Sequence, residues 1–216
     1  NIYDYIMRIR RRKANLHERS LDELKQYCRI LFVDDDTDFK TINIIKQAGW
    51  THTLLVNDID IIDADCVRDA HIICLDIQGV GKALNFQKEG LGLLSALKSR
   101  YPHTAIIAYS AQSNGTIDCF DIDINKADKR LSKTTDPYQF MLTLEELAVD
   151  MLSYTQCRSK IKDVLESELG IKVADEEIMR MIKRLVGGAS CFDVFKAFNL
   201  SNLSSIIQIV DFFIGK

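Results

Sequence analysis

The sequence predicts an α/β fold, a doubly wound five-stranded parallel sheet with an additional all-helical unit at its carboxyl end. Three observations lead there. Short, continuous apolar runs recur between residues 29 and 132, as expected of parallel strands buried on both faces. Segments of helical spacing separate them, and such alternation implies a parallel sheet with right-handed crossovers. Beyond residue 154 only helical periodicity remains.

Taken in order, Ser20 with Glu23 three residues on predicts a capped helix reaching Tyr27. Strands follow at 29–34, 52–56, 71–76, 104–109 and 129–132. Between them lie helices at 37–48, 59–68 (a weak pattern), 90–100 and 114–122 (short), and a last one spans 136–153. In the tail, Ile161, Val164, Leu165 and Glu168 mark one amphipathic helix, and Ile178, Met181, Ile182 and Leu185 mark a second that Gly187 and Gly188 end. Phe192, Phe195 and Phe198 mark a third, and Leu203, Ile206, Ile207, Val210 and Phe213 a fourth behind a Ser201 cap. The chain thus divides into a basic amino-terminal arm with a short helix (1–28), a sheet domain (29–154) and a helical region (155–216).

Composition narrows the class. With 216 residues, 47% hydrophobic and 2 prolines, the chain can bury a substantial core. Cys28, Cys66, Cys74, Cys119, Cys157 and Cys191 form no CxxC pair, which fits a reducing cytoplasm, and the four histidines are too dispersed for a metal site. Lys and Arg against Asp and Glu number 7 to 4 in residues 1–28, 12 to 19 in 29–154, and 9 to 8 in 155–216. The central acidity suits a metal-binding pocket. Arg8 to Lys13 reads either as a solvated arm or as the cytoplasmic flank of a membrane helix outside this sequence.

The polar residues that close the apolar runs carry the chemistry. Asp34 and Asp35 close the first, Asp76 the third, Ser110 the fourth and Lys133 the fifth. Carboxyl ends of parallel strands share one edge of the sheet, where open α/β sheets hold ligands. Asp34 and Asp35 suit a hard divalent cation such as Mg²⁺. Asp76 suits a nucleophile that attacks phosphorus to give an acyl phosphate. Lys133 adds positive charge for the phosphoryl oxygens, and Ser110 a hydroxyl donor. Singly, each has a plainer reading, with Asp34 to Asp38 as a turn and helix cap and Lys133 as a surface lysine.

Together the five positions resemble the receiver domain of two-component response regulators, over about residues 28–154. The separation of 41 residues from Asp35 to Asp76, that of 23 from Ser110 to Lys133, Ala111 after Ser110, and Lys133-Thr-Thr-Asp136 are similar to the family pattern. The resemblance implies a flavodoxin-like sheet of strand order 2-1-3-4-5 with Asp76 as phosphoacceptor. It implies Mg²⁺ held by Asp34, Asp35, Asp76 and the Gln78 backbone carbonyl, and a phosphoryl group read by Ser110 and Lys133. It further implies a phosphoprotein of the cytoplasm that is not an enzyme in the ordinary sense, phosphorylated by a histidine kinase or phosphotransfer protein.

Three positions depart from that pattern. Arg130 stands where the family often has Tyr or Phe, and Thr134 where it usually has Pro. The segment from Ile77 to Gly90 is about six residues longer than usual in the family, and reads as a lid over the pocket or as a tolerated insertion. Gly79-Val-Gly-Lys82 is no P-loop, because that motif needs Gly where Asp76 stands and Ser or Thr where Ala83 stands.

The tail decides the output. Residues 190–216 loosely resemble a helix-turn-helix, but the candidate recognition helix carries no Arg or Lys before Lys216, which disfavours DNA. A homodimer contact or a downstream protein partner fits better, and a phosphorylation-independent scaffold is the alternative.

Overall fold

Five strands, β1 (Ile30–Val33), β2 (Thr53–Val56), β3 (Ile72–Asp76), β4 (Ala105–Ser110) and β5 (Lys129–Ser132), form one all-parallel sheet of order β2-β1-β3-β4-β5. The computed structural model describes residues 19–111, 122–170, 172–190 and 193. Register is continuous across the sheet: Phe32 pairs with both Leu55 and Cys74, Asp76 with Tyr109, and Ser110 with Ser132. β1, β3 and β4 are buried at every position, which is why their runs are apolar without alternation.

The helices are α1 (Leu21–Tyr27), α2 (Lys40–Gln47), α3 (Asp65–Arg68), α4 (Glu89–Arg100), α5 (Pro137–Met151), α6 (Tyr154–Leu169) and α7 (Asp175–Val186), with a 3-10 turn at Ile122–Lys126. At α1 the Ser20 hydroxyl accepts the Glu23 amide while the Glu23 carboxylate accepts the Ser20 amide, a complete capping box. α2 starts three residues later than its periodicity suggests. The reason is local, since the Asp36 amide donates to Asp34 and the Asp38 amide to Asp36, two successive Asx turns that compete with helix. α3 is one turn rather than ten residues. The expected helix 136–153 stops at Met151 because Ser153 caps α6 by accepting the Gln156 amide.

Side chains of alternate strand residues form two cores. Leu31, Val33, Ile73, Leu75, Ile106 and Ala108 pack with Leu93, Leu94 and Leu97 of α4. On the other face Phe32 and Tyr109 meet Phe140 of α5, and Phe39 stacks on Tyr109.

Contacts divide the chain into two units, Ser20–Met151 and one containing the helices after it. Within the second, α6 and α7 bury Cys157, Ile161, Val164 and Leu165 together with Ile178, Met181, Ile182 and Leu185. Gly170, in the left-handed conformation, ends α6, and Lys162 pairs with Asp175 at 2.9 Å. The basic arm, the short helix of 114–122 before Ile122, the Phe192–Phe198 and Leu203–Phe213 segments and the helix-turn-helix candidate lie outside the described residues. Among the described residues no helix is long and apolar enough to cross a membrane.

Candidate functional site

At the carboxyl end of the sheet, β1 and β3 are adjacent, so their terminal carboxylates meet. One ligand atom each from Asp34, Asp35 and Asp76 lies within 4.8 Å of the others. Asp34 is wholly buried and Asp76 is 3% exposed, whereas Asp35 faces solvent. An all-oxygen set with several carboxylates is the donor chemistry that a hard divalent cation takes.

Lys133 enters this cluster from the end of β5. Its amide donates to the Ser110 carbonyl at 2.7 Å, which locks the ends of β4 and β5 together and aims the side chain inward. The ammonium donates to Asp34 Oδ1 at 2.8 Å and Asp76 Oδ2 at 3.0 Å, and lies 3.5 Å from Asp36 Oδ2. It also sits 5.4 Å from the centroid of the Phe39 ring. Ser110 is buried at the end of β4, beside Ser132. Gln78 follows Asp76 by two residues, and its amide donates to Asp76 Oδ1 at 3.0 Å.

Electrostatics follow from burial. Desolvation pushes the Asp76 carboxyl above its ordinary range, and the Gln78 amide and Lys133 only partly offset it. For Lys133, desolvation opposes the charge, but hydrogen bonds to Asp34 and Asp76 outweigh it and raise the ammonium. Three carboxylates around one ammonium leave the cluster net negative.

The structure also places two groups here that sequence reasoning passed over. Tyr109, buried in β4, donates its hydroxyl to Asp34 Oδ2 at 2.8 Å. Burial first, and then the Asp34 charge, hold that phenol well above its usual range, so it is a donor. The signal was available, because a tyrosine inside an aliphatic buried strand needs a hydrogen-bond partner. The second is Asp58, whose Oδ1 accepts the Gly81 amide at 2.6 Å and Oδ2 the Ala83 amide at 3.0 Å, while Glu89 accepts the Gly79 amide at 2.9 Å. These bonds pin the long segment after Asp76 beside the pocket. Gly79, at φ +82°, passes so close to Asp35 that a Cβ there would collide with the carboxylate. A side chain at Gly90 would meet the Asp76 carbonyl, so α4 can start directly behind the pocket only with glycine.

The departures are resolved locally. Among the described residues no peptide bond is cis, and hydroxyl groups build the turn at Thr134: Ser132 Oγ meets Thr134 Oγ1 at 2.7 Å and the Thr135 hydroxyl accepts the Ser132 amide at 3.2 Å. Arg130 is exposed and donates to the Asn125 side-chain Oδ1 at 2.6 Å.

No family model and no curated protein matches the chain. Solved structures do. A CheY-like response regulator receiver domain protein from Methanospirillum hungatei JF-1 is 20% identical, over 58% of this chain and 96% of that one, with a TM-score of 0.46. The receiver domain of NtrX from Brucella abortus is 24% identical over 56% and 98%, at 0.44. Full-length FixJ from B. japonicum is 14% identical over 86% and 89%, at 0.48. Such identities speak to fold alone. The strand order β2-β1-β3-β4-β5, all parallel, is read directly from the sheet, and it gives the Ser20–Met151 unit a flavodoxin-like, doubly wound α/β fold.

Proposed function

We propose that this chain is a response regulator of a two-component phosphorelay that accepts a phosphoryl group on Asp76. The observation that carries this reading is the meeting of Asp34, Asp35 and Asp76 within 4.8 Å, with the Lys133 ammonium 3.0 Å from Asp76. Asp34, Asp35, Asp76 and the Gln78 carbonyl would hold Mg²⁺, whose chemistry is to neutralise phosphoryl oxygens and hold them in line. An Asp76 carboxylate oxygen attacks phosphorus as the bond to the donor's leaving atom breaks with its electron pair, giving an acyl phosphate. Lys133 exchanges its carboxylate partners for the incoming phosphoryl oxygens, and the Ser110 hydroxyl donates to the same group. Attack by water on phosphorus reverses the modification, releasing orthophosphate and restoring the carboxylate. The protein is therefore a phosphoacceptor rather than an enzyme with a separate substrate.

The donor is a phosphohistidine on a kinase or phosphotransfer protein, which places the protein in the cytoplasm. Phosphorylation shifts an existing equilibrium and so changes binding to a second copy or to a downstream protein. The test is incubation with Mg²⁺ and acetyl phosphate followed by intact-mass measurement. One phosphoryl group is expected on the wild type, and none on Asp76→Asn or after chelation of Mg²⁺. A wild type that gains no mass, or an Asp76→Asn variant that gains as much, overturns the reading.

A further inference from the structure

The buried hydroxyl of Tyr109 is a polar group in the pocket that the mechanism above does not use. Every residue of β4 from Ala105 to Ser110 is buried, and a phenol placed there must find a partner or lose the free energy of an unmade hydrogen bond. Its partner is Asp34 Oδ2, at 2.8 Å. Phe39 stacks on the ring with centroids 5.4 Å apart, and Phe140 meets it edge-on at 5.6 Å. Phe32 closes a third side at 6.4 Å.

The consequence lies in the lone pairs of Asp34. An ionised carboxylate offers about four acceptor sites. Oδ1 accepts from the Asp36 amide at 2.9 Å and from Lys133 at 2.8 Å, and Oδ2 accepts from Tyr109. Among the described residues that leaves one site, on Oδ2, for a cation shared with Asp35 and Asp76. The hydroxyl fixes which lone pair is open and where it points. We propose that Tyr109 is a positioning residue for the cation, holding the Asp34 carboxylate in its ligating orientation through the phenolic hydroxyl. This rests on the reading of Asp34 as a cation ligand given under Proposed function. A purely structural tyrosine would need only its ring, which phenylalanine also supplies.

The test compares Tyr109→Phe with the wild type by Mg²⁺ titration calorimetry and by Mn²⁺ binding followed by paramagnetic resonance. Partners that orient a metal ligand typically account for about 10- to 100-fold in affinity, so a weakening of about ten-fold is expected. Phe140→Leu serves as the control for packing. It should lower the melting temperature more than Tyr109→Phe does while leaving cation affinity within about two-fold, since it removes ring contacts and no donor to Asp34. Tyr109→Phe binding either cation as tightly as the wild type, or more tightly, overturns the proposal. So does an equal loss of affinity in Phe140→Leu, which would assign the effect to packing. A wild type that binds neither cation overturns the reading of the pocket itself, and this proposal with it.

Discussion

Asp76 and Asp123 are both aspartates in contact with lysine, yet burial holds the Asp76 carboxyl above its ordinary range while Lys126, Ser95 and Lys88 hold Asp123 below it. The Asp123 carboxylate accepts from the Ser95 hydroxyl at 2.8 Å, from Lys126 at 2.9 Å and from Lys88 at 3.1 Å, one anion among two cations in contact with solvent. In the pocket Asp34, Asp36 and Asp76 divide one ammonium, and two of the three are buried. The Asp123 cluster is electrostatically complete and ties the 3-10 turn to α4. The pocket is short of positive charge, which is a state suited to taking up a cation.

The largest effect that would break this comparison belongs to Lys133→Met. Removing one partner of a buried ionic cluster leaves uncompensated charge, and a loss of about 3 kcal/mol in urea unfolding is expected without divalent cation. Part of that loss should return when Mg²⁺ is added, because a ligand at 100 times its dissociation constant stabilises the native state by about 2.7 kcal/mol. A Lys133→Met protein as stable as the wild type would show that the carboxylates are not short of counter-charge.

Next is Asp58→Ala, which strips two amides of the segment beside the pocket of their acceptor. An expected loss of about 2 kcal/mol should appear as faster hydrogen exchange at Gly81 and Ala83. Unchanged exchange at both amides would mean that the segment is held by Val80 and Glu89 instead.

The pH dependence sharpens the contrast in sign. In the unfolded chain Asp76 loses its proton near 3.8, and in the native state at a higher pH. Between the two the native protein binds more protons, so Asp76 contributes stability below pH 3.8 that is lost as pH rises through the native value. Asp76→Asn removes this dependence. Its stability relative to wild type, from unfolding curves at a series of pH values without Mg²⁺, should therefore rise from pH 4 towards neutrality. A difference that falls over that range would contradict the dominance of burial. Asp123 has the opposite sign, contributing stability above 3.8 that disappears on acidification.

The smallest effect is expected from Lys126→Ala. It removes one cation from a solvent-accessible cluster that keeps Lys88 and Ser95, so the cost should stay below about 1 kcal/mol and should not respond to Mg²⁺. A larger or Mg²⁺-dependent loss would erase the distinction between the two clusters.

The strands were the legible part of the fold, because a run such as Ile72–Asp76, buried on both faces, has few other ways to satisfy its apolar side chains. Helix ends were less legible. α2 begins at Lys40 instead of 37 because Asp34 and Asp36 use their carboxylates to turn the chain, a competition between side chain and helix that periodicity does not register. The break at Leu152 and Ser153 had a visible signal in the Ser153 cap, hidden within a continuous apolar pattern. In the pocket, Asp34, Asp35, Asp76, Ser110 and Lys133 could be named from their places at strand ends. Tyr109 could be flagged only as a buried phenol in need of a partner, since nothing near it in sequence reveals that the partner lies 75 residues away, and Asp58 carried no signal at all.

By itself the sequence determined the class of the sheet, the edge at which the polar residues gather and the residue types that gather there. These follow from local burial and from the geometry that parallel strands share. Only the tertiary structure decided that one ammonium serves Asp34 and Asp76, that a phenol holds Asp34 Oδ2, and that Asp58 pins the segment after Asp76. Those pairings depend on strand register and on how loops close over tens of residues, and short-range periodicity carries no record of either.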